Sequence, residues 1–227
     1  MPLRSTPRLM TTVILTTVVM ACAVLCQAQE RPAPAIRFTA RGATIAGATP
    51  NGSAAVFGIG LKADGVWPVS FKWADVVACD NRGEATIDFG FDVPQSSIWA
   101  VVDGRTGQAS LSTPGGVPVP AARLRPDFLR RRAGSVSEFA FDHPVLDLLY
   151  VEPSGGVWVG ATQDGAKTDR DGPNGVSAIS VADFHPLRGT SGAPAELKAG
   201  GCLIAVDVVR MEAVSIRLDQ AMIGAAR

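Results

Sequence analysis

The residues best suited to chemistry lie in the stretch GTSGAP, residues 189–194. Its serine, Ser191, is a weak nucleophile unless a neighbouring base takes the hydroxyl proton. The chain offers two histidines for that task, His143 and His185, and each precedes a proline. His185 is so close to Ser191 in sequence that the two suit one shared loop better than a catalytic pair.

The GTSGAP stretch resembles G-x-S-G-x-P, the nucleophile loop of chymotrypsin-like serine proteases. Those enzymes place a histidine early, an aspartate between and the serine loop late, across two β-barrels. Here no histidine precedes His143, and residues 143–191 are too few to complete both barrels. We therefore predict that Gly189 and Gly192 make this stretch a turn. A hydrolase that uses Ser191 is the less favoured alternative.

Oxygen ligands are concentrated in residues 163–175, QDGAKTDRDGPNG. Asp164, Asp169, Asp171 and Asn174 could bind calcium, and D-x-D-G resembles the middle of extracellular calcium loops. The alternative is a long hairpin loop, because Asp-Gly and Asn-Gly are turn dipeptides. No other cofactor is expected.

The four tryptophans could form a sugar-stacking face, although tryptophans at strand positions more often pack a sandwich core. They are Trp67, Trp73, Trp99 and Trp158. A carbohydrate-binding module is therefore an alternative function.

These residues must be positioned by strands, because apolar residues alternate along most of the chain. Phe57, Ile59 and Leu61 alternate with glycines, and the run TIDFGFDV (86–93) alternates in the same way. Short strands separated by turn dipeptides predict an all-β fold, an antiparallel β-sandwich of immunoglobulin-like type. The motif F-x-F-D-x-P occurs at both 89–94 and 139–144 and suggests one corner used twice.

A proline-rich segment divides the strands into two groups. We predict a β-sandwich module at residues 33–113, a linker at 114–135 and a second β module at 136–227. One continuous β-domain is the alternative. Within the linker, PDFLRRRAG (126–134) predicts one short helix, because proline and aspartate suit the first turn and arginines the last.

Residues 1–28 predict a secretory signal peptide, with basic residues before an uncharged apolar stretch from Leu9 to Leu25. An uncleaved membrane anchor is one alternative. Another is a lipid anchor at Cys22, because Val19-Met20-Ala21-Cys22 resembles the lipobox of bacterial lipoproteins. After cleavage, no membrane span is expected.

Export would leave Cys79 and Cys202 as the two cysteines of the mature protein, in an oxidising compartment. We predict a disulfide between them, with two buried free thiols as the alternative.

The charge balance of the chain bears on its expected partners. Lys and Arg together number 21, as do Asp and Glu, so nothing draws the protein toward nucleic acid. We expect a secreted or periplasmic, non-enzymatic binding or adhesion-type module of the bacterial envelope. Its expected partner is an extracellular or envelope ligand, either a glycan or a protein.

Overall fold

The computed structural model describes residues 32–64, 67–122, 128–132, 136–143, 145–169, 172–187, 189–207 and 209–225. Within them the fold is all-β, as the alternating patterns predict. The predicted signal peptide, the Cys22 anchor and the side chain of Trp67 lie outside the described part. Among the described residues, no helix is both long and apolar enough to cross a membrane.

The strands, in chain order, have the following bounds. They are β1 (Ala35–Phe38), β2 (Gly42–Ala46), β3 (Ser53–Asp64), β4 (Trp67–Ala78), β5 (Ala85–Asp88), β6 (Ser97–Asp103), β7 (Ala109–Ser112), β8 (Leu129–Arg132), β9 (Val136–Phe141), β10 (Val145–Val151), β11 (Val157–Gln163), β12 (Ser177–Ser180), β13 (His185–Pro186), β14 (Cys202–Asp207) and β15 (Glu212–Arg217). A 3₁₀ turn spans Val181–Asp183, and helix α1 spans Gln220–Ala225.

The described strands form four antiparallel sheets. Sheet A has the order β1-β2-β5, sheet B β4-β3-β6-β7, sheet C β13-β11-β10-β14-β15 and sheet D β12-β9-β8. One apolar cluster joins sheets A and B, a second joins B and C, and a third joins C and D. The sheets therefore stack in the order A, B, C, D, and the inner sheets B and C are buried on both faces.

The two halves of this stack share one topology. In chain order, strands one, two and five of each half form its outer sheet, and strands four, three, six and seven form its inner sheet. The short strand β13 is an addition to the second half. The fold is therefore a duplicated sandwich, with the two copies packed through their inner sheets.

The strand registers allow positions in the two copies to be matched. Asp103 ends β6 and Asp207 ends β14, and each carboxylate accepts hydrogen bonds from two backbone N–H groups of the following turn. With these aspartates aligned, Trp73 of β4 falls on Trp158 of β11. A shared turn-capping aspartate and a shared tryptophan support the alignment.

The F-x-F-D-x-P motif does not mark this duplication. Phe139 and Phe141 lie in β9, whereas residues 89–94 follow β5 and include Gly90 at a φ of 73°. The two occurrences therefore occupy different places in the two copies.

That residues 33–113 and 136–227 are two separate folding modules stays a prediction. Residues 33–227 form one compact unit. The cluster between sheets B and C draws side chains from both sides of the linker, such as Phe57 and Leu149.

Part of the predicted linker covers an edge of sheet C. Ala121 forms a parallel bridge with Ala213 of β15, and the Ala122 N–H donates to the Ala213 carbonyl at 2.9 Å. Val119 packs against the cluster between the inner sheets. This segment thus shields backbone groups of the exposed edge strand.

The helix predicted at 126–134 is wrong where the structure describes it. Residues 129–132 form β8, which pairs with β9, and Leu129 is buried in the cluster between sheets C and D. Pairing and burial override the local helix signals here. The short α-helix lies at residues 220–225 instead.

The predicted disulfide is also wrong, because Cys79 and Cys202 are both free and buried. Cys79 belongs to the cluster between sheets A and B, and Cys202 to the cluster between sheets B and C. Sheet B thus separates them, which fits the alternative of two thiols packed as small apolar side chains.

Candidate functional site

A cavity of about 310 Å³ opens between the two inner sheets, at the edge formed by β4 and β11. Phe57 and Ala74 of sheet B face Val159 of sheet C across it, and Leu187 lies beside β13. Its volume is at the lower end of the range for ligand pockets. Apolar walls and two charged side chains give it the composition of a binding site.

The charged side chains are Lys72 of β4 and Asp147 of β10, which form an ion pair across the cavity. Lys72 is half exposed, whereas the Asp147 side chain is 5% exposed. Burial raises the pKa of Asp147, although the hydrogen bond and charge of Lys72 oppose that rise. The pair therefore has a buried acceptor and a donor that reaches solvent.

The duplication provides a comparison for this pair. In the aligned registers, Val157 of the second copy stands where Lys72 stands in the first, and Ala55 of the first stands where Asp147 stands in the second. Val157 and Ala55 are buried in the core cluster. The same sandwich thus folds with apolar residues at both positions.

The rim of the cavity contains a second departure from the duplication. Residues 181–201 join β12 to β14, where the first copy has only residues 89–96 between β5 and β6. This longer connection forms β13, which pairs with β11 and brings His185 and Leu187 to the cavity. Both departures from the repeat meet at one pocket, which makes it the candidate functional site.

The GTSGAP stretch lies in the same connection and is tied to β11. The Thr190 hydroxyl donates to the Val157 carbonyl at 3.0 Å and accepts from the Val157 N–H at 2.9 Å. Gly189 has a φ of +90°, and the Trp158 indole N–H donates to the Ala193 carbonyl at 3.3 Å. This arrangement agrees with the predicted turn.

Ser191 itself is exposed. In the part of the chain that the structure describes, no hydrogen bond joins it to His143 or His185. His143 is 2% exposed and lies beside Asp207, while His185 pairs with Val159 at the pocket rim. Among the described residues, the structure therefore brings neither histidine to this serine.

His143 occupies a buried polar cluster of its own. Its Nδ1 lies 3.0 Å from Asp207 Oδ2, 3.2 Å from Arg210 Nη1 and 3.9 Å from Glu212 Oε2. Its Nε2 is buried without a hydrogen bond. In the first copy, Thr49 bonds to the matching Asp103 through its N–H and its hydroxyl. The histidine therefore replaces a threonine as the partner of the turn-capping aspartate.

The predicted calcium ligands Asp164, Asp169 and Asn174 bond to the backbone of their own loop. Asp164 accepts from the N–H groups of Asn174 and Gly175, and Asp169 from that of Gly165 at 2.8 Å. Asn174 Oδ1 accepts from the Val176 N–H at 2.9 Å. These bonds brace a loop, and calcium binding stays a prediction.

Asp171, the fourth predicted ligand, lies outside the described residues. Within the described part of the chain, no group of three or more His, Cys, Asp or Glu side chains could hold a metal ion.

The described tryptophans contribute to the sandwich cores. Trp99 is fully buried, its ring centroid is 5.8 Å from that of Trp73, and Trp158 is 3% exposed beside Tyr150. Trp73 is only partly buried and also lines the cavity between the inner sheets, so a sugar-stacking role for the tryptophans stays a prediction.

Comparison of the chain with family models, curated proteins and solved structures finds no match.

Sequence reasoning missed Lys72 and Asp147. The available signal was a single charge within an otherwise apolar strand, as in LDLLYV at 146–151. A lone carboxylate in a buried strand needs a partner. The partner could not be identified, because the two residues meet only when sheets B and C pack together.

If the ion pair is dispensable for folding, its replacement by the residues of the opposite copy should be tolerated. We expect Lys72→Val with Asp147→Ala to change the free energy of unfolding by no more than about 1 kcal/mol at pH 7. Urea unfolding followed by circular dichroism measures this change.

The single variant Lys72→Met provides the contrast. It leaves Asp147 buried without its partner and should lose about 2 kcal/mol at pH 7. Because burial raises the pKa of Asp147, that loss should shrink as the pH falls and the carboxylate takes up a proton. If the double variant lost as much as the single variant, the pair would instead be a requirement of the fold.

Proposed function

We propose that this is a non-enzymatic binding protein that holds a small ligand in the pocket between its inner sheets. The observation that carries the proposal is the Lys72–Asp147 pair, which stands in the pocket where the other copy has apolar residues. A few polar side chains in an otherwise apolar cavity are typical of a recognition site.

The proposed setting is the bacterial envelope or the extracellular space, after removal of residues 1–28. Apart from the added strand β13, each copy divides seven strands between a three-stranded and a four-stranded sheet, which supports an immunoglobulin-like assignment. Sandwiches of this type commonly serve as binding and adhesion modules. Ser191 is exposed and, within the described residues, makes no hydrogen bond to His143 or His185, which supports binding over hydrolysis. The burial of Trp99 and Trp158 supports a small ligand over a glycan chain.

Filling the pocket tests its role directly. The variant Ala74→Phe places a ring in the cavity beside Phe57. We expect it to weaken binding of 2-naphthalenemethanol, measured by titration of the probe's fluorescence, at least about tenfold, which corresponds to 1.4 kcal/mol.

The matched control is Ala78→Phe, since Ala78 lies on the same strand and face but is exposed beyond the pocket. It should bind the probe as the unmodified protein does. Equal binding by the unmodified protein and both variants would place the ligand outside this pocket. The variant Leu187→Trp, which fills the pocket from its opposite wall, provides a second test of the same point.

A further inference from the structure

The ion pair presents both a hydrogen-bond donor and an acceptor to any ligand in the pocket. Lys72 has three N–H donors and uses one on Asp147 Oδ1. Within the described residues, Asp147 Oδ2 accepts no hydrogen bond. The Asp147 carboxylate also lines the cavity, so a ligand in the pocket can approach it.

The net charge of the pair is zero, which decides which head group suits it. An anionic ligand would compete with Asp147 for Lys72, and a cationic ligand would compete with Lys72 for Asp147. Either ligand would leave one charge unpaired in a site that the ligand has dehydrated, which is costly. A neutral hydroxyl or amide can donate to Asp147 and accept from Lys72 without breaking the pair.

The rest of the pocket defines the body of the ligand. Phe57, Val159 and Leu187 provide apolar walls, and the cavity of about 310 Å³ admits a body of about one or two rings.

We propose that the pocket selects small neutral molecules with an apolar body and a single hydroxyl or primary amide head group that bridges Lys72 and Asp147. This rests on the proposed binding function and deepens it by naming the ligand class. The bridge makes both members of the pair recognition residues.

Four probes with one shared bicyclic body separate the possibilities. They are 2-naphthalenemethanol, 2-naphthoate, 2-naphthylmethylammonium and 2-methylnaphthalene, titrated against the protein at pH 7 and followed by the probe's fluorescence. We expect the alcohol to bind at least about tenfold more tightly than either charged probe. It should also bind more tightly than the hydrocarbon, because the hydrocarbon leaves the pair's polar groups unsatisfied.

The variant that combines Lys72→Val and Asp147→Ala provides the matched comparison, with circular dichroism to show that it is folded. It should lose the preference for the alcohol over 2-methylnaphthalene while still binding the hydrocarbon. Tightest binding of the carboxylate or the ammonium probe by the unmodified protein would overturn the neutral-ligand inference and leave a binding pocket standing. Binding of no probe by either protein would count against the proposed function itself.

Discussion

Replacing Trp99 with alanine should lower the free energy of unfolding by about 4 kcal/mol, as measured by urea unfolding. Trp99 is fully buried between sheets A and B, where its ring centroid lies 4.7 Å from that of Phe89 and 5.5 Å from that of Phe38. Its pairing partner on the neighbouring strand β3 is Gly58, and a Cβ atom added to Gly58 would lie 2.6 Å from the indole ring. The indole thus fills the space that a side chain at position 58 would occupy.

Two controls separate this packing effect from a general loss of stability. Leu203, the matching residue of β14, is also fully buried, and Leu203→Ala should lose somewhat less, about 3 kcal/mol, because the side chain is smaller. Val117 is 65% exposed, so Val117→Ala should change the free energy of unfolding by less than about 0.5 kcal/mol. A loss below about 1 kcal/mol for Trp99→Ala would contradict the tight packing of this residue in the apolar cluster between sheets A and B.

The same pair of residues shows why the sequence does not disclose the duplication. In the first copy a glycine, Gly58, stands opposite Trp99, whereas in the second copy Tyr150 stands opposite Leu203. The bulk is thus distributed differently: the first copy has one large side chain beside a glycine, and the second has two large side chains. Because each core is packed in its own way, the individual letters of the two copies diverge.

Local alternation predicted the strands but not their layers. Phe57 and Ile59 were recognisable as one face of β3, and the glycines between them as the other. The glycine face is also buried, against Trp99, because sheet B is an inner layer. Whether a strand lies in an inner or an outer sheet depends on long-range packing, which periodicity within one strand does not report.

Non-local pairing also explains the two wrong predictions. The sequence around Leu129 favours a helix by its ends alone, yet β9 offers hydrogen bonds and burial that a solvated helix would lack. The two cysteines allowed only one intramolecular pairing by count, but the layer order places sheet B between their clusters. The pocket of the candidate site could not be predicted from the sequence either, because Lys72 and Asp147 belong to different copies.

The turn-capping aspartates should be the second large source of stability. Asp103 is 3% exposed and accepts hydrogen bonds from the N–H groups of Thr49, Arg105 and Thr106 and from the Thr49 hydroxyl. Asp103→Ala leaves these donors without their acceptor, so we expect a loss of about 3 kcal/mol at pH 7. Asp207→Ala in the second copy should cost a similar amount, because it leaves His143 Nδ1 without its carboxylate partner.

The pH dependence of the free energy of unfolding distinguishes the contribution of the Asp103 charge from that of the shape of its side chain. Burial opposes ionisation, but the hydrogen bonds from Thr106, Thr49 and Arg105 outweigh it and hold the pKa of Asp103 below its ordinary value. A carboxylate with a lowered pKa in the folded state contributes stability above its unfolded pKa of about 3.9, and that contribution is lost as the pH falls through the folded value. Urea unfolding of the unmodified protein and Asp103→Asn should therefore differ most near neutral pH and converge below about pH 4. A difference that stayed constant from pH 7 to pH 3 would show that the amide fails for geometric reasons and would contradict a stabilising role for the charge.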